Sequence, residues 1–135
     1  MHLKNEKLLN LAKEHKTPLY VYNGDLIKKR YKELYDFINW PKLKIHYAMK
    51  ANYNPKILKM LKEEGAYLDT VSPGEVELAL KLGFSKDKIL YTANNLTDKE
   101  MHEVAKKGVL MNIGSLSRLE KYGKAYPNTN VCIRF

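Results

Sequence analysis

Apolar positions along this chain switch between two periods, and the switch recurs at nearly constant spacing. Five short runs have strand character: Lys44-Ile45-His46-Tyr47-Ala48-Met49, Ala66-Tyr67-Leu68-Asp69-Thr70-Val71, Lys88-Ile89-Leu90-Tyr91-Thr92, Val109-Leu110-Met111-Asn112-Ile113 and Val131-Cys132-Ile133-Arg134-Phe135. They begin at residues 44, 66, 88, 109 and 131, in steps of 22, 22, 21 and 22, which is what a strand, a helix and two short loops consume. Such alternation predicts parallel strands joined by right-handed crossovers. Two architectures meet that demand: an open doubly wound sheet, and a (β/α)8 barrel of which five units are an incomplete portion.

Between the runs the period becomes helical, with readable ends. Asn54-Pro55 offers a cap and a first-turn proline, Ile57, Leu58 and Leu61 form an inward stripe, and Gly65 marks the stop. Ser72-Pro73-Gly74-Glu75 has the form of a capping box, with the glutamate able to reach back to the serine's backbone, before a stop at Gly83. Thr97 with Glu100 repeats the pattern ahead of Gly108, and Ser115 opens a helix whose Leu116, Leu119 and Tyr122 share a face before Gly123. Upstream, Leu3 to His15 reads as a helix. Asp25 to Ile38 reads as another, through Ile27, Tyr31, Leu34, Tyr35 and Ile38, stopped by Trp40-Pro41. Thr17-Pro18-Leu19-Tyr20-Val21-Tyr22 reads as a short strand outside the rhythm, and so in a different sheet.

Composition narrows the class. At 44% hydrophobic and 29% charged residues the 135-residue chain is globular, which excludes collagen, low-complexity disorder and a disulfide scaffold. The net charge of +9 would suit nucleic acid if it were concentrated, but the lysines are spread over nearly every helix (Lys28, Lys29 and Lys32; Lys56, Lys59 and Lys62; Lys99, Lys106 and Lys107; Lys121 and Lys124), usually beside Glu or Asp. A solvated surface without nucleic-acid binding is expected. Cys132, the single cysteine, has no disulfide partner and lies in an apolar run, which predicts an inert buried thiol and a reducing, cytoplasmic compartment. The polar start Met1-His2-Leu3-Lys4-Asn5-Glu6 offers no signal peptide, and no apolar span addresses the chain to a membrane. His2, His15, His46 and His102 lack metal-ligand spacing, so no metal is expected, and neither a G-x-G-x-x-G nor a Walker sequence occurs. The chain ends on Arg134-Phe135 inside a strand, and is expected to be the N-terminal part of a longer protein.

In parallel α/β folds ligands sit at the carboxyl ends of the strands, where this chain places polar residues repeatedly. They are Lys50 and Asn52, Asp69 and Ser72, Thr92, Asn94 and Asn95, Asn112 and Ser115, and Arg134. Ser72, Thr97 and Ser115 are read as helix caps. Lys50 differs, because an amine at the end of an apolar strand is costly to desolvate unless paired, and a neutral amine attacks carbonyls. It points either to Schiff-base chemistry or simply to solvent. Asp69 fits a structural counter-ion or a partner that tunes the lysine, and Arg134 an ordinary strand-end arginine or a fixed cation facing an anionic oxygen.

The motif Tyr47-Ala48-Met49-Lys50-Ala51-Asn52 resembles the lysine motif of the fold-type III pyridoxal-phosphate decarboxylases. Leu68-Asp69-Thr70-Val71-Ser72-Pro73-Gly74-Glu75 resembles that family's second-strand aspartate and the helix start after it, Val131-Cys132-Ile133-Arg134-Phe135 its fifth strand with an arginine, and Thr17 to Tyr22 its opening strand. Lys50-Ala51-Asn52, Thr92-Ala93-Asn94-Asn95 and Met111-Asn112-Ile113-Gly114-Ser115 are similar to the diaminopimelate branch; eukaryotic ornithine decarboxylases tend to place cysteine after the lysine. The resemblance implies an α/β chain forming about five units of a (β/α)8 barrel, with residues 1–23 associated with a second, β-rich domain and residues 24–135 forming the first part of the barrel. It implies pyridoxal 5'-phosphate as cofactor, Lys50 as the Schiff-base lysine, Asp69 beside it and Arg134 facing the cofactor's ring or phenolic oxygen. The implied reaction is decarboxylation of meso-diaminopimelate to L-lysine and carbon dioxide, by a homodimer acting on a small amino acid. Another basic amino acid as substrate, or a non-catalytic barrel relative, are the alternatives. The family's ring-stacking histidine, glycine-rich phosphate loop, acid at the pyridine nitrogen and interface cysteine and tyrosine would all follow residue 135, so this stretch alone is expected to be inactive.

Overall fold

The computed structural model describes residues 3–92 and 94–135; Met1, His2 and Ala93, which entered the readings of the N-terminus, the histidines and the Thr92-to-Asn95 stretch, lie outside the described residues. The chain forms two compact units, Met1–Pro41 and Lys42–Phe135. No helix of the described residues is long and apolar enough to cross a membrane.

The first unit holds α1 (Asn5–His15) and α2 (Gly24–Ile38). The Asn23 side chain caps α2 by accepting the Leu26 N–H at 3.1 Å. The helix ends at Asn39 rather than at Trp40-Pro41: Asn39 takes the left-handed conformation (φ 39°) and donates its N–H to the Tyr35 carbonyl. Of the expected stripe only Tyr31 is buried, while Leu34 and Ile38 are half exposed. Residues 17–22 form no strand. A strand exists through a ladder partner, and the described sheet contains only strands of the second unit.

The second unit alternates β1 (His46–Ala48), α3 (Pro55–Glu63), β2 (Tyr67–Thr70), α4 (Pro73–Lys81), β3 (Ile89–Thr92), α5 (Asp98–Lys107), β4 (Leu110–Ile113), α6 (Leu116–Ala125) and β5 (Val131–Ile133). All four pairings are parallel and the strand order is β1-β2-β3-β4-β5. That order decides between the two architectures. A doubly wound sheet reverses its strand order at a switch point and carries helices on both faces, whereas here each strand lies beside its sequence neighbour. Leu68, Ile89, Tyr91, Met111 and Ile113 of the sheet pack with Leu58, Val76, Ala79, Met101, Val104 and Tyr122 of the helices in one buried cluster. The fold is α/β, a partial (β/α)8 barrel with helices against one face of a parallel sheet.

Local chemistry explains most boundaries. Asn54, Ser72, Thr97 and Ser115 each cap the helix that follows, and Thr97 with Glu100 closes a full capping box. Glu75 reaches one residue further than expected, accepting the Val71 N–H at 2.8 Å and so bracing the exit from β2. Helix α6 runs past Gly123 to Ala125 and stops where Pro127 biases Tyr126 away from helical geometry. Its Leu116 is 84% exposed, because it stands in the first turn, ahead of the buried stripe. Thr70 is buried in the apolar layer and donates its hydroxyl to the Leu90 carbonyl at 2.9 Å. Burial pushes the Tyr91 phenol up to about 12. Cys132 is half-buried rather than enclosed, because β5 pairs on one side only.

Between α5 and α6, Asp98 accepts from the Lys121 ammonium at 2.8 Å and from the Arg118 guanidinium, which together hold its carboxyl below the ordinary value of 3.8. A depressed native value means that the pair stabilises the fold above the unfolded carboxyl's titration and loses its effect as pH falls through the native one. The unfolding midpoint of Asp98→Asn is therefore expected to lie below wild type near neutrality, the gap closing as pH is taken well below 3.8. Chemical denaturation is expected to separate two leucines equally sharply. Leu58→Ala, at a fully buried site, loses about 2–5 kcal/mol, and Leu116→Ala stays within about 0.5 kcal/mol of wild type.

Candidate active site

Side chains alternate faces along a strand, so parallel register fixes which residues share the side away from the helices. Ala48 pairs with Asp69, Asp69 with Leu90, and Thr92 with Asn112. With Lys44, His46, Lys50, Val71, Asn94, Asn95 and Arg134 these residues, Ala48 apart, line one open cavity of about 890 Å³. Lys50, Asp69 and Arg134, far apart in sequence, are thus brought to a single surface, together with the expected Thr92, Asn94, Asn95 and Asn112.

Lys50 does not stand on the strand. β1 ends at Ala48, and Lys50 is the middle residue of a 3-10 turn, Met49–Ala51, with its side chain exposed and the neighbouring Met49 fully buried. The side chain thus reaches solvent, as one of the two readings open for it has it, and its place is set by the turn. Asp69 lies on β2, and its Oδ1 is a buried atom with no hydrogen-bond partner among the described residues. An unpartnered buried oxygen of this kind costs about 1–3 kcal/mol until a donor meets it. Arg134 follows β5, where its backbone N–H donates to the Ile113 carbonyl at 2.9 Å and its Nη1 to Asn94 Oδ1 at 3.2 Å. Beside it, Asn112 Nδ2 donates to Thr92 Oγ1 at 3.4 Å.

Other expected rim residues serve the scaffold. The Asn52 side chain accepts the Asn54 N–H at 3.0 Å, and Ser72 caps α4. Ser115 caps α6 and borders a separate cavity of about 300 Å³. The sequence reading missed Lys44, His46, Val71 and Leu90. The signal was available: Lys44 and His46 alternate with Ile45 and Tyr47, and so share the face of Ala48. His46 Nδ1 lies 3.2 Å from the Leu68 carbonyl; a carbonyl only accepts, so Nδ1 carries the hydrogen. Lys44 and Lys88 each stand over the Tyr67 ring, at 5.3 and 5.4 Å.

Three cations, Lys44, Lys50 and Arg134, thus face one carboxylate, Asp69, around a surface to which Val71 and Leu90 add apolar area. The balance favours an anionic ligand with an apolar part, and the exposed Lys50 amine, in its neutral form, is open to a carbonyl group of that ligand.

The family model of the pyridoxal-dependent decarboxylases, pyridoxal binding domain, matches residues 25–135. A diaminopimelate decarboxylase of Methanothermobacter thermautotrophicus is 40% identical over 121 residues, 88% of this chain and 28% of the relative. Another, of Aquifex aeolicus, is 37% identical over 139 residues, 99% of this chain and 33% of the relative. The crystal structure of a lysine decarboxylase from Selenomonas ruminantium superposes with a TM-score of 0.88 at 28% identity, covering 100% of this chain and 36% of that one. The chain spans about a third of the length of these proteins. With its family match running from α2 through the last sheet strand, the chain belongs to the pyridoxal-dependent decarboxylases, and residues 25–135 are sequence of their pyridoxal-binding domain.

Proposed function

We propose that this chain contributes the cofactor-holding lysine to an enzyme that decarboxylates meso-diaminopimelate to L-lysine and carbon dioxide. The observation that carries the reading is the gathering of Lys50, Asp69 and Arg134 around one cavity. The residues present fit pyridoxal phosphate by their chemistry. The buried Asp69 Oδ1 awaits a donor, the Lys50 amine is exposed to the same space, and the cations suit a phosphorylated, phenolic ligand.

In this reading Lys50 holds the cofactor covalently and Asp69 receives a hydrogen bond beside it. Arg134, braced by Asn94, keeps a fixed positive charge toward the ring or its phenolic oxygen. Pyridoxal phosphate, when bound, supplies the electron sink that accepts the electron pair left behind by departing carbon dioxide. Val71 and Leu90 offer apolar surface against which the cofactor's ring would rest. The substrate assignment draws on Lys50-Ala51-Asn52 and on the diaminopimelate decarboxylases among the relatives. A second reading, another basic amino acid as substrate, draws on the likeness to a lysine decarboxylase. In this reading residues 1–23 associate with a β-rich domain, residues 24–135 form the first part of the barrel, and the working enzyme is a cytoplasmic homodimer.

The test uses the whole gene product loaded with pyridoxal phosphate. Borohydride reduction followed by peptide mapping is expected to label Lys50. Lys50→Ala is expected to abolish both the label and the release of carbon dioxide from meso-diaminopimelate. Label on another lysine, or normal turnover by Lys50→Ala, contradicts the reading; turnover of lysine or ornithine in place of diaminopimelate favours the second one.

A further inference from the structure

We propose that Tyr47 is a positioning residue for Lys50, holding from behind the sheet the turn that carries the amine; the inference rests on Lys50 being the cofactor-holding lysine. Tyr47 is the middle residue of β1, in register with the fully buried Leu68. It therefore belongs to the helix-covered face, opposite the pair Ala48 and Asp69, and its ring packs against the apolar cluster. Its hydroxyl donates to the Asn52 carbonyl at 3.1 Å.

That hydrogen bond spans the whole turn. β1 ends at Ala48, Met49–Ala51 form the 3-10 turn, and Asn52 returns to extended backbone at φ −166°. Met49 anchors the start by complete burial. Beyond the turn, Asn52 Oδ1 accepts the Asn54 N–H at 3.0 Å and Asn54 Oδ1 accepts the Lys56 N–H at 2.9 Å, which ties the exit to the first turn of α3. Lys50 is thus an exposed side chain on a backbone held at both ends. Short 3-10 turns have poorer hydrogen-bond geometry than α-helices. Without the hydroxyl the turn can open, and the long flexible lysine stem converts a small backbone rotation into a displaced amine. Tyr47 does not line the cavity, so its action passes through the backbone.

The experiment compares wild type, Tyr47→Phe and Tyr47→4-aminophenylalanine in the whole gene product, stripped of cofactor and reloaded with pyridoxal phosphate. Uptake is followed by visible absorption, and stability by thermal unfolding. Loss of one hydrogen bond is expected to slow uptake by Tyr47→Phe about three- to tenfold. A similar fall in kcat is expected, with KM unchanged and the unfolding midpoint within a few degrees of wild type. The amino variant, which restores a donor of similar reach, is expected to recover uptake. Wild-type uptake and kcat in Tyr47→Phe overturn the proposal, as does a slowing that the amino variant leaves uncorrected, which would mark a packing effect. Borohydride label on Lys50 with an unaffected Tyr47→Phe defeats this inference alone, whereas label on another residue defeats the Lys50 assignment and this inference together.

Discussion

Backbone pairing between very short parallel strands is the constraint on which the rest depends. Each strand contributes three or four residues, so one step of register reassigns every side chain it carries. With Tyr47 opposite Leu68 and Leu68 opposite Ile89, leucine and isoleucine enter the helix-covered layer while Asp69 faces the cavity. A slip of one residue on β2 would press the Asp69 carboxylate into that layer and turn Leu68 toward water. Burying an unpaired carboxylate and exposing a leucine are both unfavourable, so the packing of the core and the placement of the site enforce the same register.

Parallel pairing also determines where chemistry can occur. All carboxyl ends of the strands reach one rim, so Lys50 after β1, Thr92 closing β3 and Arg134 after β5 line one cavity although they are far apart along the second unit. The interactions at that rim are modest singly. Asn94 braces Arg134, Asn112 meets Thr92, and Glu75 holds the backbone just past β2. Their effect is to fix donors and charges in advance, which is what a binding site for an anionic ligand requires.

Much of this was legible in the sequence because it is local or strictly periodic. Helix starts at Asn54, Ser72, Thr97 and Ser115 follow from side chains that satisfy N–H groups two or three residues on, and the five strands follow from a repeated spacing. What the sequence concealed depends on partners distant along the chain or on the unit's outer limits. Thr17 to Tyr22 has strand-like residues but no ladder partner among the described strands. Gly123 looks like a stop, yet glycine ends a helix by adopting a left-handed conformation, and the backbone does not do so there. The pattern puts Lys50 at a strand end, whereas β1 ends at Ala48 and the chain turns through Met49–Ala51, with Met49 buried and the Tyr47 hydroxyl donating to the Asn52 carbonyl across the turn. Lys44 and His46 reach the cavity through the alternation that carries the same face further down β1, away from the strand end.

The central claim is that one cavity, bounded by Lys50, Asp69 and Arg134, holds pyridoxal phosphate. A crystal structure of the whole gene product grown with pyridoxal phosphate tests it most directly. The expected result is electron density continuous from Lys50 Nζ into the cofactor, with a cofactor atom within hydrogen-bond distance of Asp69 Oδ1 and the Arg134 guanidinium facing the ring or its phenolic oxygen. Density joined to a different lysine, or a cofactor seated away from this rim with Asp69 Oδ1 still unpartnered, would contradict it.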